Sequence, residues 1–366
     1  MTEQNATSSQ VVSRISRLWR SASVPVTAVL LALLIGAIIL LLSGANPIEA
    51  YLALYKGAFG SQQAFGRTLE KATPLILGGL AVAFAFKAGL FNIGGQGQLL
   101  LGAIISAYLG FALTGLPFII HMPLALLGGA IAGALFGALP GALRTYTGAH
   151  EVITTIMLNF IAINITDYLA DGPWKDSGIV TRTPAIQESA AIPIWGNIPA
   201  GFFIAVFVAV AMWFLLYKTP LGYEIRTVGL NSFAAQYAGI RVSAIIILTM
   251  AISGALAGLG GSIETLGVVG RFQPGFNVGL GFDGITIALL AKTSPIGVIP
   301  AALLVGAMQA GSSQMQFDAN VPFQIIDVIQ ALILFFVSAD VIVRWIIRMR
   351  AEDGERITLS SGWGSK

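Results

Sequence analysis

Long apolar runs separated by short polar breaks occupy most of the chain from residue 24 onward. The stretches 24–43, 70–88, 95–114, 122–143, 151–170, 199–217, 243–263, 280–292, 295–312 and 322–347 are predominantly apolar. Most approach the roughly 20 residues that a helix needs to cross a ~30 Å hydrocarbon core. Inside that core every backbone polar group must bond within its own segment, so each run predicts a helix. The pattern therefore predicts an all-α integral membrane fold of about ten transmembrane helices. The run at 280–292 is too short to cross alone. It follows a Gly-rich stretch, Gly260 to Gly284, that contains Arg271 and Asp283. Irregular backbone at membrane depth survives only where protein buries it or a cavity borders it, so a broken or re-entrant element is expected there. The first run, Val24 to Leu42, exceeds the length of a signal-peptide core and is expected to be a retained helix.

Composition agrees. Of the 366 residues, 56% are hydrophobic and 10% charged, against roughly 25% charged in soluble domains. So few charges cannot solvate a water-exposed surface, which leaves one membrane domain over 24–347 between tails at 1–23 and 348–366. The 43 glycines would weaken soluble helices but let membrane helices approach closely. A net charge of +3 is too weak to predict a nucleic-acid partner. The absence of Cys excludes disulfides and thiolate sites. His121 and His150 are the only histidines, so no histidine metal cluster and no metal ligand set is expected.

Basic residues set the orientation. Arg14, Arg17 and Arg20, then Lys218, Arg226 and Arg241, then Arg344, Arg348 and Arg350 all fall on one side of a ten-span chain. That side is the cytoplasm, which takes both termini and the 218–242 loop. The 171–198 loop, with Asp171, Lys175, Asp176, Arg182 and Glu188, falls outside, and its Trp174 and Trp195 suit the outer interface.

An internal echo is present. Phe91-Asn92-Ile93-Gly94 returns as Phe276-Asn277-Val278-Gly279, and Pro123-Leu124-Ala125-Leu126-Leu127-Gly128-Gly129-Ala130 as Pro300-Ala301-Ala302-Leu303-Leu304-Val305-Gly306-Ala307. The predicted topology makes these two inverted four-helix repeats, with the first and sixth helices peripheral. Transporters often place their substrate site at such a repeat interface.

Chemistry concentrates in the segment 89–98. Phe91, Asn92, Gln96 and Gln98 put an aromatic face and three amides in an apolar context. Unpaired amides in hydrocarbon are costly, so these groups face protein, water or substrate. Two readings stand: a polar path, or helix–helix hydrogen bonding. The same choice applies to Asn159 and Asn164. Phe276 and Asn277 join the path by the repeat. Asp283 is an intramembrane acid and so a functional candidate, or else a helix cap or the partner of Arg271 or Lys292. Glu151, beside His150, opens a helix where an acid complements the helix dipole. No catalytic residue is expected.

The 218–242 loop holds a further element. Asn231 or Ser232 can cap a short helix that runs to Tyr237 and ends at Gly239. It lacks the Lys/Arg face of a lipid-bound helix and suits docking onto another protein. No Gly-Lys pair occurs, so the chain carries no phosphate-binding loop of that type. Any ATP-driven step belongs to a separate subunit, and no cofactor is expected here.

Four ordered motifs, GLFNIGGQGQLLLGA, HEVITTIMLNFIA, GYEIRTVGLNSFAAQYAGI and GFDGITIALLAKTSPIGVIPAALL, resemble the membrane permeases of bacterial ABC importers for branched-chain amino acids, ribose-like sugars and nucleosides. The similarity covers about residues 45 to 345. FNIGGQGQ and EVITTIMLN are most similar to nucleoside permeases that work with a basic-membrane-protein-type lipoprotein. The resemblance implies a coupling helix within Gly222 to Gly239, with Gly222, Arg226, Gly229, Asn231, Ala234, Ala235, Tyr237 and Gly239 in the ATPase-contacting segment. It also implies an ABC ATPase carrying ATP and Mg, a second permease subunit in a heterodimer, an extracytoplasmic substrate-binding lipoprotein, and a prokaryotic plasma membrane. Rival readings are import of sugars or branched-chain amino acids and an ion-coupled secondary transporter relying on Asp283. A passive channel would need a ring of pore charges, which is not evident. Arginine at Asn231 or Ala235 is expected to abolish transport while leaving membrane insertion intact, as uptake and membrane-fraction blots would show.

Overall fold

A computed structural model describes residues 26–275, 279–322 and 324–338. The predicted arginines of both tails, and Phe276 and Asn277, lie outside the described residues. Among the described residues every regular element is a helix apart from one small hairpin. In order it forms α1 (Val26–Leu42), α2 (Pro47–Phe59), α3 (Gln62–Lys87), α4 (Gly95–Ala112), α5 (Phe118–Thr147) and α6 (Glu151–Asp171). The antiparallel hairpin of β1 (Ile194–Trp195) and β2 (Ile198–Pro199) precedes α7 (Ala200–Lys218). Then come α8 (Pro220–Leu230), α9 (Ser232–Tyr237), α10 (Val242–Glu264), α11 (Leu280–Leu290), α12 (Val298–Ala319) and α13 (Gln324–Ser338). Among the described residues, six helices are long and apolar enough to cross a membrane: α3, α4, α5, α6, α7, and α10 with the turn that follows it.

The residues fall into two units, with boundaries inside α2 and α12. The larger comprises 55–275 and 279–311. Its centre is α3 and α4, which bury 83% and 67% of their most apolar windows, whereas α6 buries 22%. The outer helices keep their apolar faces for lipid or for partners. In lipid no hydrophobic force joins helices, so close packing and hydrogen bonds must. Gly129, Gly133 and Gly137 of α5 meet Gly254 and Gly258 of α10 without an intervening side chain. A Cβ at Gly133 would fall on the Gly254 carbonyl, one at Gly254 on the Gly133 carbonyl, and one at Gly102 of α4 on the Gly258 carbonyl. In the smaller unit the Tyr51 hydroxyl donates to the Leu33 carbonyl at 2.6 Å, and the bare Cα of Gly36 leaves room for Tyr51 and Ile329.

Several expectations need correction. α2 was not expected, because Lys56 and Glu49 sit in it and keep it short of a span. The predicted 70–88 span is longer at its start. Ser61 caps α3 by accepting from the Ala64 amide at 3.0 Å, and the polar first turns hide from a hydropathy reading. The Gly-rich 260–284 stretch is not broken from its beginning. α10 continues to Glu264 and passes into a π-helical turn, Thr265–Val269, which Gly270 ends at φ 71°. The loop after α7 holds two helices rather than one: Thr219 accepts from the Gly222 amide at 3.1 Å, and Pro220 at the first position starts α8.

Replacing Gly133 with Leu should push α5 and α10 apart. Overpacking of this kind costs about 1–3 kcal/mol or more. The variant's melting temperature in detergent should fall clearly below that of Gly178→Ala, where no atom lies within 4 Å of the added carbon.

Candidate functional site

The two ends of the larger unit differ in construction. At one end a long loop, residues 172–199, is tied down by backbone bonds. The amides of Thr183, Ile186, Gln187 and Ile192 donate to the carbonyls of Phe272, Gly270, Gly110 and Leu266 at 2.8–3.0 Å. Buried His121 has Nδ1 2.7 Å from Ser189 Oγ and donates from Nε2 to the Leu109 carbonyl at 3.0 Å. Trp174 stacks on Tyr108 with centroids 4.4 Å apart. Arg271, expected near Asp283, instead lies 4.0 Å from Asp176, which Arg182 approaches at 3.5 Å.

The opposite end brings together the C-terminus of α3, the loop 88–94, the N-termini of α4 and α6, and α8. The centre of this end is Asn92, 1% exposed. An amide side chain has two donor hydrogens and one acceptor oxygen with two lone pairs, and all four are used. Asn92 Nδ2 donates to Gln98 Oε1 at 2.8 Å and to Ser253 Oγ at 2.7 Å. Asn92 Oδ1 accepts from the Gly94 amide at 3.0 Å and from Gln98 Nε2 at 3.1 Å. Ser253 passes the connection on, donating to the Ala81 carbonyl of α3 at 2.6 Å. Asn159 of α6 accepts from the Gly97 amide at 2.8 Å and donates to the Ile93 carbonyl at 3.0 Å. Gln96 Oε1 accepts from the Gly281 amide at the start of α11 at 2.9 Å.

Of the two readings left open for the amides, the geometry realises internal hydrogen bonding for Asn92, Gln98 and Asn159. They are buried and form a frame that joins α3, α4, α6 and α10. Phe91 is less buried, and its ring packs edge-on to Phe86 at 4.9 Å. Asn164 donates to the Phe160 carbonyl at 2.7 Å on the outward side of α6. Asp283 is not a helix cap: Gly279 holds that position, and Asp283 Oδ2 accepts from Gln309 Nε2 at 3.0 Å. Glu151 stands in the first turn of α6 as expected, buried and paired with Arg144.

Beside the frame lie α8 and α9. Asn231 closes α8 and caps α9, accepting from the Ala234 amide at 3.0 Å. Arg226 donates to the Gly222 carbonyl at 3.2 Å and stacks over Tyr217. Phe233 and Tyr237 of α9 are 68% and 95% exposed, and Leu230 is 83% exposed. Ala235 is the exception. It is fully buried beneath α9, so an arginine there would disrupt the chain itself, and it cannot serve as a pure docking test. Gly229 rests on the backbone of the 88–94 loop's entry: a Cβ would overlap the Lys87 carbonyl. Opposite it, Gly89 adopts φ 69°, a conformation that favours glycine.

Ser253, Gln309 and the Gly229 contact escaped the sequence reading. Ser253, in the middle of the apolar run of α10, was the available signal. The others join residues far apart in the chain and left no local mark.

A core of apolar helices long enough to span, with a buried amide frame and an exposed two-helix element at one end, defines a multi-pass membrane protein. The chain belongs to the family described as the branched-chain amino acid transport system permease component, whose pattern matches residues 64–338. It is similar to the guanosine ABC transporter permease protein of Bacillus subtilis, 41% identical over 92% of this chain and 97% of that one. Similarity extends to a nucleoside ABC transporter permease protein of Lactococcus lactis, at 37% identity over 88% and 92% of the two chains. A glucose ABC transporter permease protein of Haloferax volcanii is 34% identical over 87% of each.

Asn159→Ala strands the Gly97 amide and the Ile93 carbonyl inside the protein. Unsatisfied buried groups cost about 1–3 kcal/mol each. Thermal unfolding of the purified chain should show a clear loss of stability, larger than for Asn164→Ala on the outward face.

Proposed function

We propose that this chain is a permease subunit of an ATP-binding cassette importer that takes up nucleosides. The observation that carries this reading is near-full-length similarity to permeases named for guanosine and nucleosides. The chain supplies a membrane path. A separate ABC ATPase, holding ATP and Mg, supplies the energy. In this reading α9 is the coupling helix on the cytoplasmic side. Its exposed Phe233 and Tyr237 are suited to a protein partner, because buried aromatics anchor interfaces. The remaining partners are a second permease, completing the pore as a heterodimer, and an extracytoplasmic substrate-binding lipoprotein. The setting is a prokaryotic plasma membrane, with both termini cytoplasmic and the 172–199 loop outside.

The finer architecture in this proposal is about ten spans containing two inverted repeats. In the repeat register Phe91 corresponds to Phe276, so Gln96 corresponds to Gly281. These two equivalent positions touch through the hydrogen bond between the Gly281 amide and Gln96. Residues that lie on a two-fold axis meet their own equivalents, and this contact supports the register. The path runs along this junction. Among the described residues Phe91, Gln96 and Asp283 border it, while Asn92, Gln98 and Asn159 hold its wall in shape. Transport proceeds by alternating access as partner closure rocks the helices against one another.

The test is co-expression with neighbouring ATPase and binding-protein genes, followed by uptake of labelled nucleosides with and without an inactivated ATPase. ATPase-dependent nucleoside uptake is the expected result. A working ATPase complex that imports glucose instead would move the substrate to the class of the Haloferax volcanii relative. Uptake indifferent to the ATPase would replace the importer with a secondary transporter. In the same complex, Phe233→Asp with Tyr237→Asp should weaken ATPase co-purification at least about thirtyfold, as the loss of a single hot spot of about 2 kcal/mol implies. The melting temperature of the isolated chain should stay unchanged.

A further inference from the structure

We infer that Asn92, with Gln98 and Ser253, acts as a mechanical joint that carries movement of α8 into the spanning helices, and that it is not a substrate contact. The inference rests on the importer reading above.

The chain of contacts is continuous. Gly229 sits in α8, two residues before the Asn231 cap of α9. It meets Lys87 and Ala88 backbone to backbone, and its bare Cα leaves no side chain to absorb a push. Within a few residues the loop reaches Asn92. From there, bonds of 2.6–3.1 Å lead to α4 through Gln98, to α10 through Ser253, and to α3 through Ser253 and the Ala81 carbonyl. Asn159 adds α6 by holding both Ile93 and Gly97. Coupling between distant sites travels through packed and hydrogen-bonded elements of this kind.

Two further observations separate the joint from a binding site. Every polar position of the Asn92 side chain is taken by protein, and the side chain is 1% exposed. A substrate would have to break this pairing to bind it. Ser253 is fully buried and already both accepts and donates.

The inference predicts loss of coupling rather than loss of affinity. In the assembled complex in liposomes, with binding protein and the nucleoside that supports wild-type uptake, Asn92→Ala should keep ATP hydrolysis within about twofold of wild type. Nucleoside imported per ATP hydrolysed should fall at least about tenfold, with little change in the KM for uptake. Ser253→Ala removes two bonds, against the four of Asn92, and should give a smaller effect of the same kind, which keeps the test available if Asn92→Ala fails to assemble. The exchanged pair Asn92→Gln with Gln98→Asn restores the reciprocal amide bonds and should recover part of the coupling. A raised KM at unchanged ATP per nucleoside would overturn the joint and restore a substrate contact. Parallel loss of hydrolysis and uptake in Ser253→Ala would reduce the cluster to a fold support. Failure of the wild-type complex to import any nucleoside in an ATPase-dependent way would overturn the importer reading itself, independently of these variants.

Discussion

The approach of α10 to α5 and α4 sets where Ser253 and Ser262 of α10 meet their partners. Helices in lipid gain nothing by hiding apolar surface from one another, so they associate through dense packing and hydrogen bonds. Gly133 and Gly254, and Gly102 and Gly258, bring backbone onto backbone. At that separation Ser262 of α10 bridges to the Gly102 carbonyl at 3.3 Å. Ser253, adjacent to Gly254, is held at the depth where Asn92 can reach it. A side chain in the glycine seam would move both serines away from their partners.

The amide frame follows the same logic in polar terms. In a low-dielectric interior a polar network stabilises only when every member is satisfied, and each orphaned group is expensive. Asn92 meets that condition completely. The reciprocal pair with Gln98 lets two amides satisfy each other over a six-residue separation, and Asn159 serves the Ile93 carbonyl of the loop and the Gly97 amide in the first turn of α4. Irregular backbone can therefore exist among the spanning helices without water.

The ends of these helices have opposite characters. The 172–199 loop is stitched to the π-helical turn and its continuation by several main-chain bonds, and His121 fastens it to α4. The other end presents α9, one and a half turns long, with its aromatic side chains outward and only Ala235 tucked in. One end thus carries a fastened cover and the other a projecting short helix. Gly229 of α8, next to α9, rests on the backbone at Lys87 and Ala88, a few residues before the frame's Asn92.

Much of this was legible in the sequence. Hydropathy alone dictates helices in a membrane, because backbone cannot remain unpaired in hydrocarbon. The cap at Asn231, the end of α9 near Gly239 and the first-turn role of Glu151 depend on neighbours within four residues, and each was readable from spacing. The short helix at 280–290 was likewise evident from its length. Other features depend on residues distant in the chain. No spacing announces that Arg271 turns to Asp176, that Ala235 faces inward, or that Gly229 touches Lys87. The amides themselves were plain as candidates. Whether they face a path or one another is decided by which helices the glycine seam brings together, and only the tertiary structure supplies that.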